Sequence, residues 1–144
     1  MAQRDYSNYV IPATAALMLV LFGKKIMSSF SFFGGNEAEQ QAVAQLQASN
    51  VFSPNYWQGK SGVQLTTIDY AKQWCQNVYN AKGTFNDDEA AVYGAFNALH
   101  YKTQVSWMAY NFYKIYGKDL YGYLQGFLST GEMAQIAAIV NKLK

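Results

Sequence analysis

The sequence predicts an all-α protein, an N-terminal transmembrane helix followed by a compact five-helix domain. Three observations predict it. Tyr6 to Gly23 form an 18-residue run without a charged side chain. From Thr67 onward, apolar residues recur at helical spacing and are punctuated by cap residues. No alternating strand pattern competes. At 144 residues the chain fits one core domain. The expected organisation is a membrane anchor and hinge over 1–35, a linker helix and ordered loop over 36–66, and a helical domain over 67–144.

The anchor is centred on Val10, Ile11, Leu17, Leu19, Val20, Leu21 and Phe22, with Lys24 and Lys25 after it. As a helix, 18 residues span about 27 Å, close to a bilayer's hydrocarbon thickness. Both lysines can snorkel to the interface. Pro12 falls near the first turn, where proline is tolerated. A cleaved signal peptide fits less well, since Asp5 offsets Arg4 and no A-x-A site follows. A buried core helix also fits less well, because the run is apolar on every face. The positive-inside rule places the C-terminal side in the cytoplasm by a margin of one or two charges.

Charge is scarce elsewhere too. Charged residues make up 14 % of the chain, against roughly 25 % in a typical soluble domain. Residues 36–144 hold eight lysines and eight acids, so the net charge of +2 lies entirely in the first 35 residues. No basic stripe marks a nucleic-acid surface. One cysteine excludes an intrachain disulfide, and one cysteine with one histidine excludes a zinc cluster. Aromatic content of 17 % excludes a disordered chain.

After the anchor, Phe30, Phe32 and Phe33 suit a bilayer interface, and Gly34-Gly35 suits a hinge. Asn36 to Ser49 predicts a helix capped by Asn36, with Glu37 and Glu39 at its positive end. Val43 and Leu46 give it a thin apolar stripe that needs a surface to lie on. Residues 50–66 predict an ordered loop anchored by Phe52, Tyr56 and Trp57.

Thr67 to Ala81 places Ile68, Ala71, Cys75, Val78 and Tyr79 on one stripe. The loop Lys82 to Asn86 stops it. Asn86 is the expected N-cap of a second helix, with Asp87, Asp88 and Glu89 in its first turn and Val92, Phe96 and Leu99 inward. A third helix over Lys102 to Tyr116 turns Val105, Met108, Ala109 and Phe112 inward, and Gly117 is its left-handed cap. Asp119 caps a short fourth helix holding Leu120, Tyr123, Leu124 and Phe127. Ser129 and Glu132 form a capping box for the last helix, with Met133, Ile136, Ala137, Val140 and Leu143 inward.

These five helices, the Lys82-Gly83-Thr84 loop with its acidic cap, and Tyr116-Gly117-Lys118-Asp119-Leu120 resemble one annexin repeat. The likeness covers Ile68 to Lys142, about half the chain. The whole chain is similar to small proteins of bacteriophages and mobile elements that pair an N-terminal hydrophobic segment with one such annexin-like repeat. Phe52-Ser53-Pro54-Asn55-Tyr56-Trp57, Tyr101-Lys102-Thr103-Gln104-Val105 and Leu128-Ser129 with Glu132-Met133 carry that second likeness. An annexin repeat that binds calcium combines loop carbonyls with a later carboxylate, the oxygen set a hard cation needs. Here the loop lacks the second glycine of the K-G-x-G-T pattern, and the later position is Phe127. No metal and no cofactor are therefore expected, and Asp87, Asp88 and Glu89 are assigned to helix capping.

Catalytic signals are weak. Cys75 and His100 are each alone in their class, while nucleophilic catalysis needs a nucleophile, a base and an orienting group. Cys75 lies on an apolar stripe, which predicts an inert thiol. The acids cluster at caps, so no isolated carboxylate pair suggests glycosidase chemistry. No P-loop, G-x-G-x-x-G or H-E-x-x-H appears. No catalytic residue is expected.

Aromatic residues crowd Tyr110 to Tyr123, more than a small core can use. Tyr110, Tyr113, Tyr121, Tyr123 and Trp57 are the expected partner contacts. The expectation is a single-pass structural protein of a viral or host cell membrane, such as a minor virion component of a lipid-containing phage. Its partners would be the bilayer and capsid or other membrane proteins, possibly itself, with no nucleic acid and no small-molecule substrate. The alternatives are a host-envelope protein acting in phage release and, last, a peptidoglycan-degrading enzyme.

Overall fold

A computed structural model of the chain describes residues 35–61, 63 and 65–144. The expected anchor, Val10 to Lys25 included, lies outside the described residues. Among the described residues no helix is long and apolar enough to cross a membrane. They form six helices and no strand: α1 (Glu37–Ala48), α2 (Ile68–Ala81), α3 (Glu89–Asn97), α4 (Lys102–Tyr116), α5 (Leu120–Gln125) and α6 (Thr130–Asn141).

Each helix starts where its cap chemistry dictates. Asn36 Oδ1 accepts the Glu39 N–H at 2.9 Å and Glu39 Oε2 accepts the Asn36 N–H at 3.0 Å, a reciprocal box that opens α1. The chain enters this box at Gly35 with φ +91°, where an added Cβ would stand 2.9 Å from Thr130 Cγ2. Only glycine fits that approach to the start of α6. Thr67 caps α2. The cap of α3 is Asp88, whose Oδ1 accepts the Ala91 N–H at 2.9 Å, and not Asn86 as the sequence suggests. The intervening loop closes on itself instead. Asp88 donates its N–H to Ala81 O at 2.8 Å, and Asp87 accepts from Gly83 N–H at 3.0 Å. A Cβ at Gly83 would fall 1.8 Å from Asn86 O, so the closure requires glycine.

At the head of α4, Gln104 reaches back to accept the N–H groups of His100 at 2.7 Å and Tyr101 at 3.2 Å. Gly117 ends α4 in the left-handed region. Asp119 caps α5, accepting from Gly122 N–H at 2.7 Å. Ser129 and Glu132 form the expected box for α6.

The helices share one core. α2 packs on both α3 and α4, α3 on α6, α4 on α5, and α1 lies along α6. The largest fully buried side chains are Phe96, Phe112, Leu46, Met108, Leu120, Leu124 and Ile136. Each stabilises by about 1.5–3 kcal/mol relative to exposure. Val43, Leu46, Val51 and Phe52 belong to this same core. Residues 42–56 of the segment read as a linker helix and loop thus contribute to the core of the helical domain. The surface that α1 needed is α6.

The loop after α1 is ordered. Asn50 adopts φ 60°, Val51 and Phe52 are buried, and Ser53 O accepts the Ser106 hydroxyl of α4. On α2 the buried stripe is Ala71, Trp74, Cys75, Val78 and Ala81. Ile68, expected inward, is 53 % exposed, because it stands in the first turn, ahead of the buried stripe. Trp74 takes the inward place between Ala71 and Val78.

Candidate functional site

Seven of the eight acids of residues 36–144 sit at helix starts, and the eighth closes a loop. Glu37, Glu39, Asp69, Glu89 and Glu132 occupy first turns. Asp88 and Asp119 are N-caps, and Asp87 closes the loop before α3. Carboxylates there satisfy orphan N–H groups and meet the positive helix end. The lysines are distributed differently. Four of them lie over tyrosine rings: Lys60 at 4.0 Å from Tyr56, Lys82 at 5.6 Å from Tyr123, Lys114 at 5.8 Å from Tyr110, and Lys118 at 5.4 Å from Tyr79. Such contacts are worth about 0.5–1 kcal/mol each at exposed sites.

Two aromatic clusters result. In the first, the Tyr79 ring of α2 stacks on Tyr116 of α4 at 3.9 Å and 5°, and on Tyr123 of α5 at 5.4 Å and 8°. The Tyr123 hydroxyl donates to Tyr79 O at 2.8 Å. Phe112 lies beneath, 5.1 Å from Tyr123 and 4.9 Å from Tyr116. Burial, then neighbouring Tyr79, Tyr116 and Asp87, pushes the Tyr123 phenol up. The stack joins three helices through shape and one hydrogen bond.

The second cluster joins the loop before α2 to α4. Trp57 meets Trp107 edge-on at 5.5 Å, and Trp107 stacks on Tyr110 at 5.4 Å and 7°. The two indole N–H groups are buried and have no acceptor among the described residues. An unpaired buried donor costs about 1–3 kcal/mol, so this patch carries strain the first does not.

No protein-family model, curated protein or solved structure matches the chain.

The structure therefore separates the expected contact residues. Trp57 and Tyr110 come together in the tryptophan cluster. Tyr123 belongs to the other stack, and Tyr113 stands 42 % exposed on α4. Tyr121 is a correction. It is buried, edge-on to Phe52 at 5.3 Å, and burial followed by Asp119 pushes its phenol up to about 12. A surface contact is closed to it, because α5 buries Leu120, Tyr121 and Leu124 as its inner stripe. Sequence reasoning passed over Trp107, and it placed Tyr79 on a helix stripe and Tyr56 in the ordered loop without counting either as a contact residue. The spacing of Trp107, Tyr110 and Lys114, three and four residues apart on one helix, is the signal that would have found the first.

Cys75 is fully buried on α2 and its thiol donates to Met108 O at 3.4 Å. Burial pushes it up to about 12, so little thiolate forms near neutral pH. His100 is exposed, and its backbone N–H and C=O serve the turn before α4. Among the described residues no group of three His, Cys, Asp or Glu side chains is placed to hold a metal ion.

Proposed function

We propose that this is a membrane-anchored structural protein, a minor virion component of a lipid-containing phage that links the membrane to capsid or to neighbouring copies. Val10 to Phe22 would lie in the bilayer, and the helical domain, annexin-like in its order of elements, would stand outside it. The observation that carries the reading is the pairing of two features in one short chain. An uncharged 18-residue run leads into a domain that leaves Trp57, Trp107 and Tyr110 outside its core cluster. Burial in lipid holds the protein in place, and aromatic area holds a partner. The commitment of seven acids of residues 36–144 to helix starts, and of Asp87 to closing a loop, supports a scaffold, since none is left as an isolated general acid or base. The strained Trp57–Trp107–Tyr110 patch is the partner face we assign, because a partner that supplies acceptors to the two indoles relieves the cost of leaving them unpaired.

Particle composition tests this. Purified virions should contain the chain, and chloroform extraction should release it with the lipid. Its absence from virions, with recovery in the host envelope, would favour the reading of a membrane protein acting in release. Recovery in neither membrane, with the chain left in the soluble fraction, would sink the anchor. Clearing of a peptidoglycan zymogram would replace the structural reading with an enzymatic one.

A further inference from the structure

Where α3 and α6 end, the segment after α6 folds back on the turn before α4. Lys102 N–H donates to Lys144 O at 2.8 Å, Lys144 N–H donates to His100 O at 3.1 Å, and Lys102 Nζ donates to Leu143 O at 2.8 Å. This clip frames an open depression of about 550 Å³. Leu99, Ile139 and Leu143 give it an apolar floor, and His100, Lys142 and Lys144 form its exposed rim. No Asp or Glu side chain lines it.

Lysines near helix C-termini ordinarily answer the negative end of the helix dipole and cap its last carbonyls. Here the carbonyls are already engaged by other donors. Ile139 O and Val140 O accept from the N–H groups of Lys142 and Leu143, Phe96 O accepts from Leu99 N–H, and His100 O accepts from Lys144 N–H. Leu143 O is held by Lys102. Those carbonyls do not depend on the Lys142 and Lys144 ammonium groups or the His100 imidazole, and all three residues line one depression.

We propose that this depression binds a phosphate group carried on an apolar or glyceryl chain. Three separated donors around an apolar floor suit a tetrahedral anion with three acceptor oxygens better than a carboxylate with two. The volume lies within the usual range for small-ligand sites, roughly 300–1,000 Å³. The site is independent of the anchor reading, and it lies on different residues from the tryptophan cluster. Its ligand is either a soluble phosphate ester or the headgroup of an anionic lipid.

The test uses the fact that His100 is the chain's only histidine. Its ring C–H signals in a proton NMR spectrum need no assignment. The full-length chain in a neutral detergent is titrated at fixed pH with inorganic phosphate, with n-butyl phosphate, and with micelles doped with phosphatidic acid. Sodium chloride at matched ionic strength is the control. The expected result is a saturable His100 shift that is stronger for butyl phosphate than for inorganic phosphate. The double substitution Lys142→Gln and Lys144→Gln, at exposed positions that leave the fold intact by circular dichroism, weakens it by ~10-fold or more. A response to doped micelles alone identifies a lipid source, and a response to butyl phosphate alone identifies a soluble ester. Shifts that chloride reproduces, or that persist unchanged in the double variant, overturn the proposal, as does the absence of any shift.

Discussion

The two aromatic clusters use similar residues to opposite ends. The tyrosine stack joins α2, α4 and α5, and its bridging hydroxyl, that of Tyr123, has an acceptor. The tryptophan cluster joins a loop to α4 and leaves two indole donors buried without one among the described residues. Rings alone do not distinguish the two clusters; the fate of their polar atoms does so only together with their place in the fold. The Tyr121 hydroxyl also lacks a partner among the described residues, yet it lies in the core. A satisfied stack gains by staying closed. An unsatisfied one gains whenever something else supplies the acceptors, whether water or a partner.

The largest expected effect comes from undercutting the lock. Phe112 is fully buried beneath the tyrosine stack. Phe112→Ala should destabilise by about 3–5 kcal/mol, the lost transfer energy plus the cavity. Urea unfolding measures it. A cost under ~1 kcal/mol would mean that the stack does not rest on this ring.

Alkaline pH provides the next test, on the interior that the lock closes over. Cys75 is raised from an ordinary 9.0, and Tyr121 from an ordinary 10.0, each to about 12. Both protons are held more tightly in the folded state. The stability they contribute is therefore complete below pH 9 and falls as pH rises toward 12. The loss approaches about 1.4 kcal/mol per pH unit for each group once the unfolded chain ionises. Stability measured from pH 8 to 11 should decline from about pH 9 in the parent. In Cys75→Ala the decline should begin about one unit later, with the phenol. An identical profile in both would remove Cys75 from the explanation.

Removing the lock's one hydrogen bond is a smaller change. Tyr123→Phe keeps the ring and deletes the bond to Tyr79 O. The expected cost is about 0.5–1.5 kcal/mol, read as a lowered urea midpoint at unchanged slope.

Most of the fold behind this comparison was legible in the sequence. Asn36, Asp119 and Ser129 announced their helices, because a cap is a local interaction between neighbours in the chain. Gly117 announced the end of α4 for the same reason. Asn86 misled because three acids follow it, and the loop bond from Gly83 to Asp87 makes Asp88 the cap. That bond depends on how the loop closes, which spacing does not encode. The direction of α5 was also illegible. Six residues carry too little periodicity to tell Tyr121 from Tyr123, and Phe52, the ring that receives Tyr121, comes from a loop far away in sequence. The tryptophan cluster was half legible. Tyr110 and Trp57 stood out as aromatic residues, but their meeting through Trp107 is a tertiary contact. The basic depression was invisible, since His100 and Lys142 are brought together only by the chain folding back after α6.

The smallest expected stability change belongs to the substitution that separates the clusters most sharply. Trp107→Phe removes a buried donor that has no acceptor, along with part of a ring that packs on Trp57 and Tyr110. The lost ring area destabilises, and the loss of the orphan N–H offsets it by about 1–3 kcal/mol. The net should fall within ~1 kcal/mol of the parent, no larger than the Tyr123→Phe cost, although the change removes more atoms. Binding should behave in the reverse order. If this face holds a partner through its indoles, Trp107→Phe weakens recovery of the chain with the particle membrane's proteins after mild detergent extraction, while Tyr123→Phe leaves that recovery unchanged. A loss of more than ~2 kcal/mol of stability on Trp107→Phe would mean the indole does have an acceptor in the folded chain. The two clusters would then be the same kind of lock, and the docking face would have to be sought elsewhere.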